Sequence, residues 1–149
     1  MTIAFESLSG AVQALEQLKV QPLRSTGAWD VPHVLHHVAQ SVEYSLTGFP
    51  SLRKAWFRAT VGPLALKVFA ARGRMQHELD APIPAAPDIA QGLPLPAAVD
   101  HVVSALRAFE QHRGPLAPHF AYGALDKPAY TQAHLMHLAD HWQLFVPAP

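Results

Sequence analysis

Apolar residues recur at helical spacing in five stretches of the chain, and no stretch alternates convincingly as a strand would. The first covers roughly 9–20, where Val12, Leu15 and Leu18, with Leu8 before them, form the apolar stripe. The second runs over about 31–47: Asp30 is placed to cap it, Pro32 suits its first turn, and Gly48 and Pro50 end it. The third, 51–74, must bend or break before Pro63. The fourth occupies about 96–112 and stops at Gly114-Pro115. The fifth starts at the cap Asp126, takes Pro128 into its first turn and continues to Phe145. Between the third and fourth, 81–95 carries Pro82, Pro84, Pro87 and Pro94, and a loop of that length reads as a lid or covering. The pattern predicts an all-α chain, most simply a four-helix bundle with one interrupted helix and a Pro-rich connecting loop.

Composition bounds this picture. At 149 residues, half of them apolar and 15% charged, one globular domain spanning 1–149 is expected. Eleven basic residues balance eleven acidic ones, so net charge gives no argument for nucleic acid. The start, Met1 to Ser7, lacks the basic and apolar regions of a signal peptide, and the apolar run 61–71 is too short to span a bilayer. A soluble cytoplasmic protein without a membrane partner is the expectation. The chain has no cysteine, so disulfides and thiolate ligands are excluded and any metal must be held by nitrogen and oxygen.

The ten histidines change the picture most. His134, His137 and His141 fall within roughly 60° of arc on one face of the last predicted helix. Tyr130, Leu138, Leu144 and Phe145 share that face, so the imidazoles sit in an apolar stripe. If charged they would repel each other, and if neutral each buried nitrogen still needs a partner; metal ligation answers both demands. Imidazoles one turn apart can close on one ion. The second helix offers His33, His36 and His37, and both His36 and His37 flank its stripe of Val34, Leu35, Val38 and Val42, so periodicity does not choose between them.

His77, His101 and His112 read as surface residues, and His119 as a loop anchor. The third segment is basic, with Arg53, Lys54, Arg58, Lys67, Arg72 and Arg74 and no acidic residue between Glu43 and Glu78; it reads as a solvated face with its apolar side in the core. No H-E-x-x-H, no G-x-S-x-G and no glycine-rich phosphate loop occurs.

Three stretches carry a family resemblance over nearly the whole chain. They are Trp29-Asp-Val-Pro-His-Val-Leu-His-His37, the pair His137-Leu-Ala-Asp-His141 with Phe145 after it, and Pro118-His119-Phe-Ala-Tyr-Gly123-Ala-Leu. The chain resembles the DinB/YfiT-like superfamily of metal-binding four-helix bundles, in a branch of uncharacterised domains. The resemblance places His37 at the helix-two ligand position and completes a metal set of His37, His137 and His141. Two positions depart from the branch: Asp140 stands where a histidine is usual, and Leu144 where a glutamine is usual, with Gln143 one place earlier. Three protein ligands leave a position for water, the pattern of a catalytic site, and a divalent metal lowers the pKa of such water towards neutrality. His134, on the ligand face, is the expected catalytic proton-transfer residue, ahead of Asp140. Zinc or nickel, or else iron, suits the imidazole set. The resemblance implies a hydrolase or a thiol-dependent transferase acting on a small molecule. The alternative is a non-enzymatic binding module with a structural metal or none. A homodimer stays open.

Overall fold

The computed structural model describes residues 3–149, so Met1 and Thr2 of the expected 1–149 domain lie outside the described residues. The chain is mostly helical. Helices α1 (Leu8–Gln17), α2 (Val31–Thr47), α5 (Leu95–Gln111) and α6 (Lys127–Trp142) are the long elements, with α3 (Ala55–Ala59) and α4 (Val61–Arg72) between α2 and α5. No described helix is long and apolar enough to cross a membrane.

The caps sit where the side chains dictate. Asp30 accepts from the His33 backbone N–H at 2.8 Å, and Asp126 from that of Ala129 at 2.9 Å, each with a proline in the first turn behind it. The third predicted helix breaks at Thr60, which puts Pro63 in the first turn of α4, where a missing N–H is harmless. Gly73 then stops α4 with φ 71°, a left-handed conformation that favours glycine.

The main core is built from Leu15 of α1, Val34, Leu35, Val38 and Val42 of α2, Val99, Val102, Leu106 and Phe109 of α5, and Tyr130 and Leu138 of α6. A smaller cluster, Leu66, Met75, Ala133 and Met136, joins α4 and the segment after it to α6. Those two apolar clusters hold α6 from two sides.

Two expectations are corrected here. The last helix stops at Trp142 and not at Phe145, and the described residues contain two strands, β1 (Leu23–Ser25) and β2 (Phe145–Pro147), paired antiparallel with Arg24 opposite Val146. Strands of three residues are too short to show alternation, and the pairing partner of β2 lies far off in sequence. Phe145 still reaches the core, from the strand. The Pro-rich connection is tied down at its far end: Asp30 Oδ2 accepts from the Gly92 N–H at 2.6 Å, and Gln91 Oε1 accepts from the Asp30 N–H at 2.7 Å.

Candidate metal centre

Four histidines converge between α2, α6 and the segment that follows α4. They are His37, His77, His137 and His141, and one ring nitrogen from each lies within 4.8 Å of all the others. His37 Nε2 stands 3.2 Å from His137 Nε2, and His77 Nε2 stands 3.1 Å from His141 Nε2. Ligands at about 2.0–2.1 Å from a tetrahedral ion are roughly 3.3 Å apart, so the close pairs have the spacing of edges around one ion. The i,i+4 spacing on α6 brings His137 and His141 together, and the packing of α2 on α6 brings His37 to them.

His77 was expected at the surface, and the structure corrects that reading. After Gly73 ends α4, the chain turns back over α6 with Met75 buried, and Asp140 captures His77 twice. Asp140 Oδ2 accepts from the His77 backbone N–H at 3.1 Å and from its Nδ1 at 2.5 Å, while Oδ1 accepts from Gln143 Nε2 at 2.7 Å. A neutral His77 that donates through Nδ1 presents a bare Nε2 lone pair to the cluster. This carboxylate–histidine relation is the usual way a ligating imidazole is oriented. Asp140, ranked below His134 from helical geometry, is thus the residue that touches the cluster from behind.

Burial favours the uncharged form of three of these rings. It lowers His37 to about 3, with the neighbouring His77 and His33 adding to the effect, and His141 to about 2, with His37 and His77 adding. His137 is held well below 6.5 by burial, with His141, His77 and His37 adding to the effect. The Nε2 atoms meet in two pairs, His37 with His137 and His77 with His141, and each pair can share only one proton in a hydrogen bond. A cation between them satisfies all four, so the donor set fits a divalent ion that accepts nitrogen ligands.

Trp29 closes one side of the cluster, stacked on His33 with ring centroids 4.3 Å apart and lying 5.0 Å from His37 and 6.2 Å from His141. The other side opens on a cavity of about 530 Å³ whose lining includes His37, His77 and His137. His134 and His119 line the same cavity away from the cluster. His119 does anchor its loop, its Nδ1 accepting from the N–H groups of Ala121 and Tyr122.

A family model described as "Protein of unknown function (DUF1569)" matches residues 1–148. The chain belongs to this family. No curated protein and no solved structure matches it.

The other histidines of this DUF1569 chain are placed as follows. His36, which periodicity could not separate from His37, points away from the cluster to α5, its Nδ1 2.7 Å from His101 Nδ1, and His101 Nε2 meets Glu43. His101 is therefore half-buried in a chain of contacts and not simply solvated. His33 stacks on Trp29, and His112 Nε2 donates to the Pro115 carbonyl at 3.1 Å. Sequence reasoning missed His77 because it lies in a segment without periodicity. The available signal was Asp140, an acidic residue embedded among histidines with no cation at i±3 or i±4 on its own helix.

Proposed function

We propose that this chain is a divalent-metal-dependent enzyme for a small molecule, built as a four-helix bundle of the DinB type from α1, α2, α5 and α6. His37, His77, His137 and His141 would hold the ion, one imidazole more than the sequence suggested. The observation that carries the reading is that three of these four histidines line the cavity, so a molecule there meets the centre directly. A structural ion needs no such access. Bound there, a divalent ion supplies Lewis acidity to a group of the substrate. Asp140 fixes the His77 ring, Trp29 keeps solvent from the opposite side, and His134, three residues before His137, is the proposed group that moves a proton. Hydrolysis and thiol-dependent group transfer both match a site of this kind. Nickel or iron, which accept five or six ligands, fits four imidazoles plus substrate more easily than tetrahedral zinc.

One observation favours a second reading. Four protein ligands can close a tetrahedral site, and closed sites are structural, which would make the chain a binding module. Cobalt(II) substitution separates the two. Azide or a small thiol added to the cobalt protein is expected to change its visible spectrum, because a coordination position faces the cavity. A spectrum unmoved by either would establish the closed site and the module.

A further inference from the structure

The cavity has a second polar wall, apart from the four-histidine cluster. The Nδ1 of His119 accepts from two backbone N–H groups, of Ala121 and Tyr122, each at 3.1 Å. A ring nitrogen that accepts carries no proton, so the proton of the neutral imidazole is on Nε2. The loop that sets this arrangement is rigidly made. His119 and Gly123 exchange backbone hydrogen bonds of 2.8 and 3.2 Å, Gly123 has φ 79°, and the ring lies stacked against Tyr122 with centroids 4.3 Å apart.

His134 has the complementary arrangement. Ser45 is fully buried, and its Oγ stands 2.5 Å from the Val42 carbonyl oxygen, so its single proton lies between those two oxygens. The remaining lone pair of Oγ faces His134 Nε2 at 3.1 Å, which must then donate. The proton on Nε2 leaves His134 Nδ1 as a bare acceptor. Burial holds both rings neutral, at about 3 in each case.

Neither His119 Nε2 nor His134 Nδ1 has a hydrogen-bond partner among the described residues. Neither is sealed in, because His33 Nδ1 is the single described side-chain atom that is both sealed and unpartnered. Both residues line the cavity, and both pack near the buried Tyr130 ring, which lies 6.2 Å from the His119 ring and 5.3 Å from that of His134.

The geometry points to a recognition pair: His119 donates through Nε2 and His134 accepts through Nδ1, a set fitted to a neutral carboxamide in the cavity. The amide oxygen takes the His119 hydrogen bond and the amide N–H gives one to His134. A carboxylate would bring an anion against the lone pair of His134, and an ammonium would bring a cation against the N–H of His119. Phe57, Met75 and Ile83 offer the rest of the molecule an apolar surface. This names the substrate class for the cavity of the proposed enzyme and rests on that reading of the cavity, though not on the ion.

The tautomers and the ligand class are tested separately, on the full chain. Long-range ¹H–¹⁵N correlation of the histidine rings at pH 7 is expected to show His119 protonated at Nε2 alone and His134 protonated at Nε2 alone. The opposite tautomer at either ring overturns the pair. Benzamide is expected to bind more tightly than toluene or benzoate and to shift the free nitrogens of both rings. His119→Phe and His134→Phe should each weaken benzamide about tenfold or more while leaving toluene unchanged. Equal binding of benzamide and toluene to the unsubstituted protein, which needs no variant to fold, also overturns the proposal. Benzamide binding that survives His77→Ala, in a protein that has lost its metal, supports the pair and shows that it does not depend on the ion.

Discussion

Helix α2 carries two adjacent histidines that face opposite ways, and the two sides solve the same problem differently. On one side His36 meets His101, and His101 meets Glu43, whose carboxylate closes the line with the negative charge at its end. Each ring nitrogen in contact has a protein partner of complementary character, and the groups are partly exposed. On the other side His37 meets three more imidazoles and no carboxylate directly; Asp140 stands one ring further back, behind His77. There the Nε2 atoms face one another in a buried setting. Clustering of histidine is therefore not the signal for a metal. What distinguishes the two sides is that four imidazoles converge on one point beside a cavity on the second, and only two meet on the first.

The largest expected effect breaks the comparison if it fails. His37→Ala, His77→Ala, His137→Ala and His141→Ala should each lower metal affinity by more than about 100-fold, since even losing an outer partner of a ligand costs 10–100-fold. His36→Ala and His101→Ala should leave about one ion per chain, measured by elemental analysis after dialysis. Metal lost equally from both groups would show that the two sides are not different in kind.

Acid comes next. His134 and His119 are lowered by burial from 6.5 to about 3 in the fold, while in the unfolded chain they titrate normally. Below 6.5 the unfolded state binds more protons, so stability falls as the pH is lowered. Their contribution is complete above pH 6.5 and is lost progressively from there towards about pH 3. Urea titrations of metal-free protein at pH 7, 5.5 and 4.5 should show this decline, and His119→Gln should flatten part of it. An unchanged slope in that variant would mean that His119 is not held neutral.

Asp140→Asn should then weaken metal about 10–100-fold with the helical signal intact, because it removes the charge that orients His77 and no ligand. Smaller in its reach is Gly62→Ala. A Cβ at Gly62 would lie 1.8 Å from the Ala121 carbonyl oxygen, where α4 closes on the loop that carries His119. Its overpacking should cost about 1–3 kcal/mol in thermal unfolding. The smallest effect belongs to the other side of α2. Glu43→Gln removes a pair whose side chains are 45% and 36% exposed, and it should change stability by less than about 1 kcal/mol.

How much of this was legible in the sequence follows from how local each signal is. The bounds of α2 could be read to the residue, because Asp30, Pro32 and Gly48 act within one turn of where they stand. The break before Pro63 was legible for the same reason. The set His37, His137 and His141 was legible in part from spacing, and His37 was chosen by resemblance and not by periodicity. His77 and the short sheet were not legible. Both depend on segments meeting across long separations, His77 on Asp140 and β1 on β2, and neither segment has a period that would betray the partner. The exposed apolar residues of α3 and α4 also escaped. Trp56 is 61% exposed and Leu64 63%, so the basic segment does not turn its whole apolar side to the core as expected.

His77 differs from the other three histidines in one further respect: it stands outside the helices, on the stretch between α4 and α5. An ion held by all four would join that stretch to two helices distant in sequence. In a chain without cysteine it would serve as a staple between them, stabilising the folded state by binding to it in preference to the unfolded chain. Protease cleavage between α4 and α5 should accordingly slow when metal is added. The ion would then also decide how often the stretch that lines one wall of the cavity comes loose.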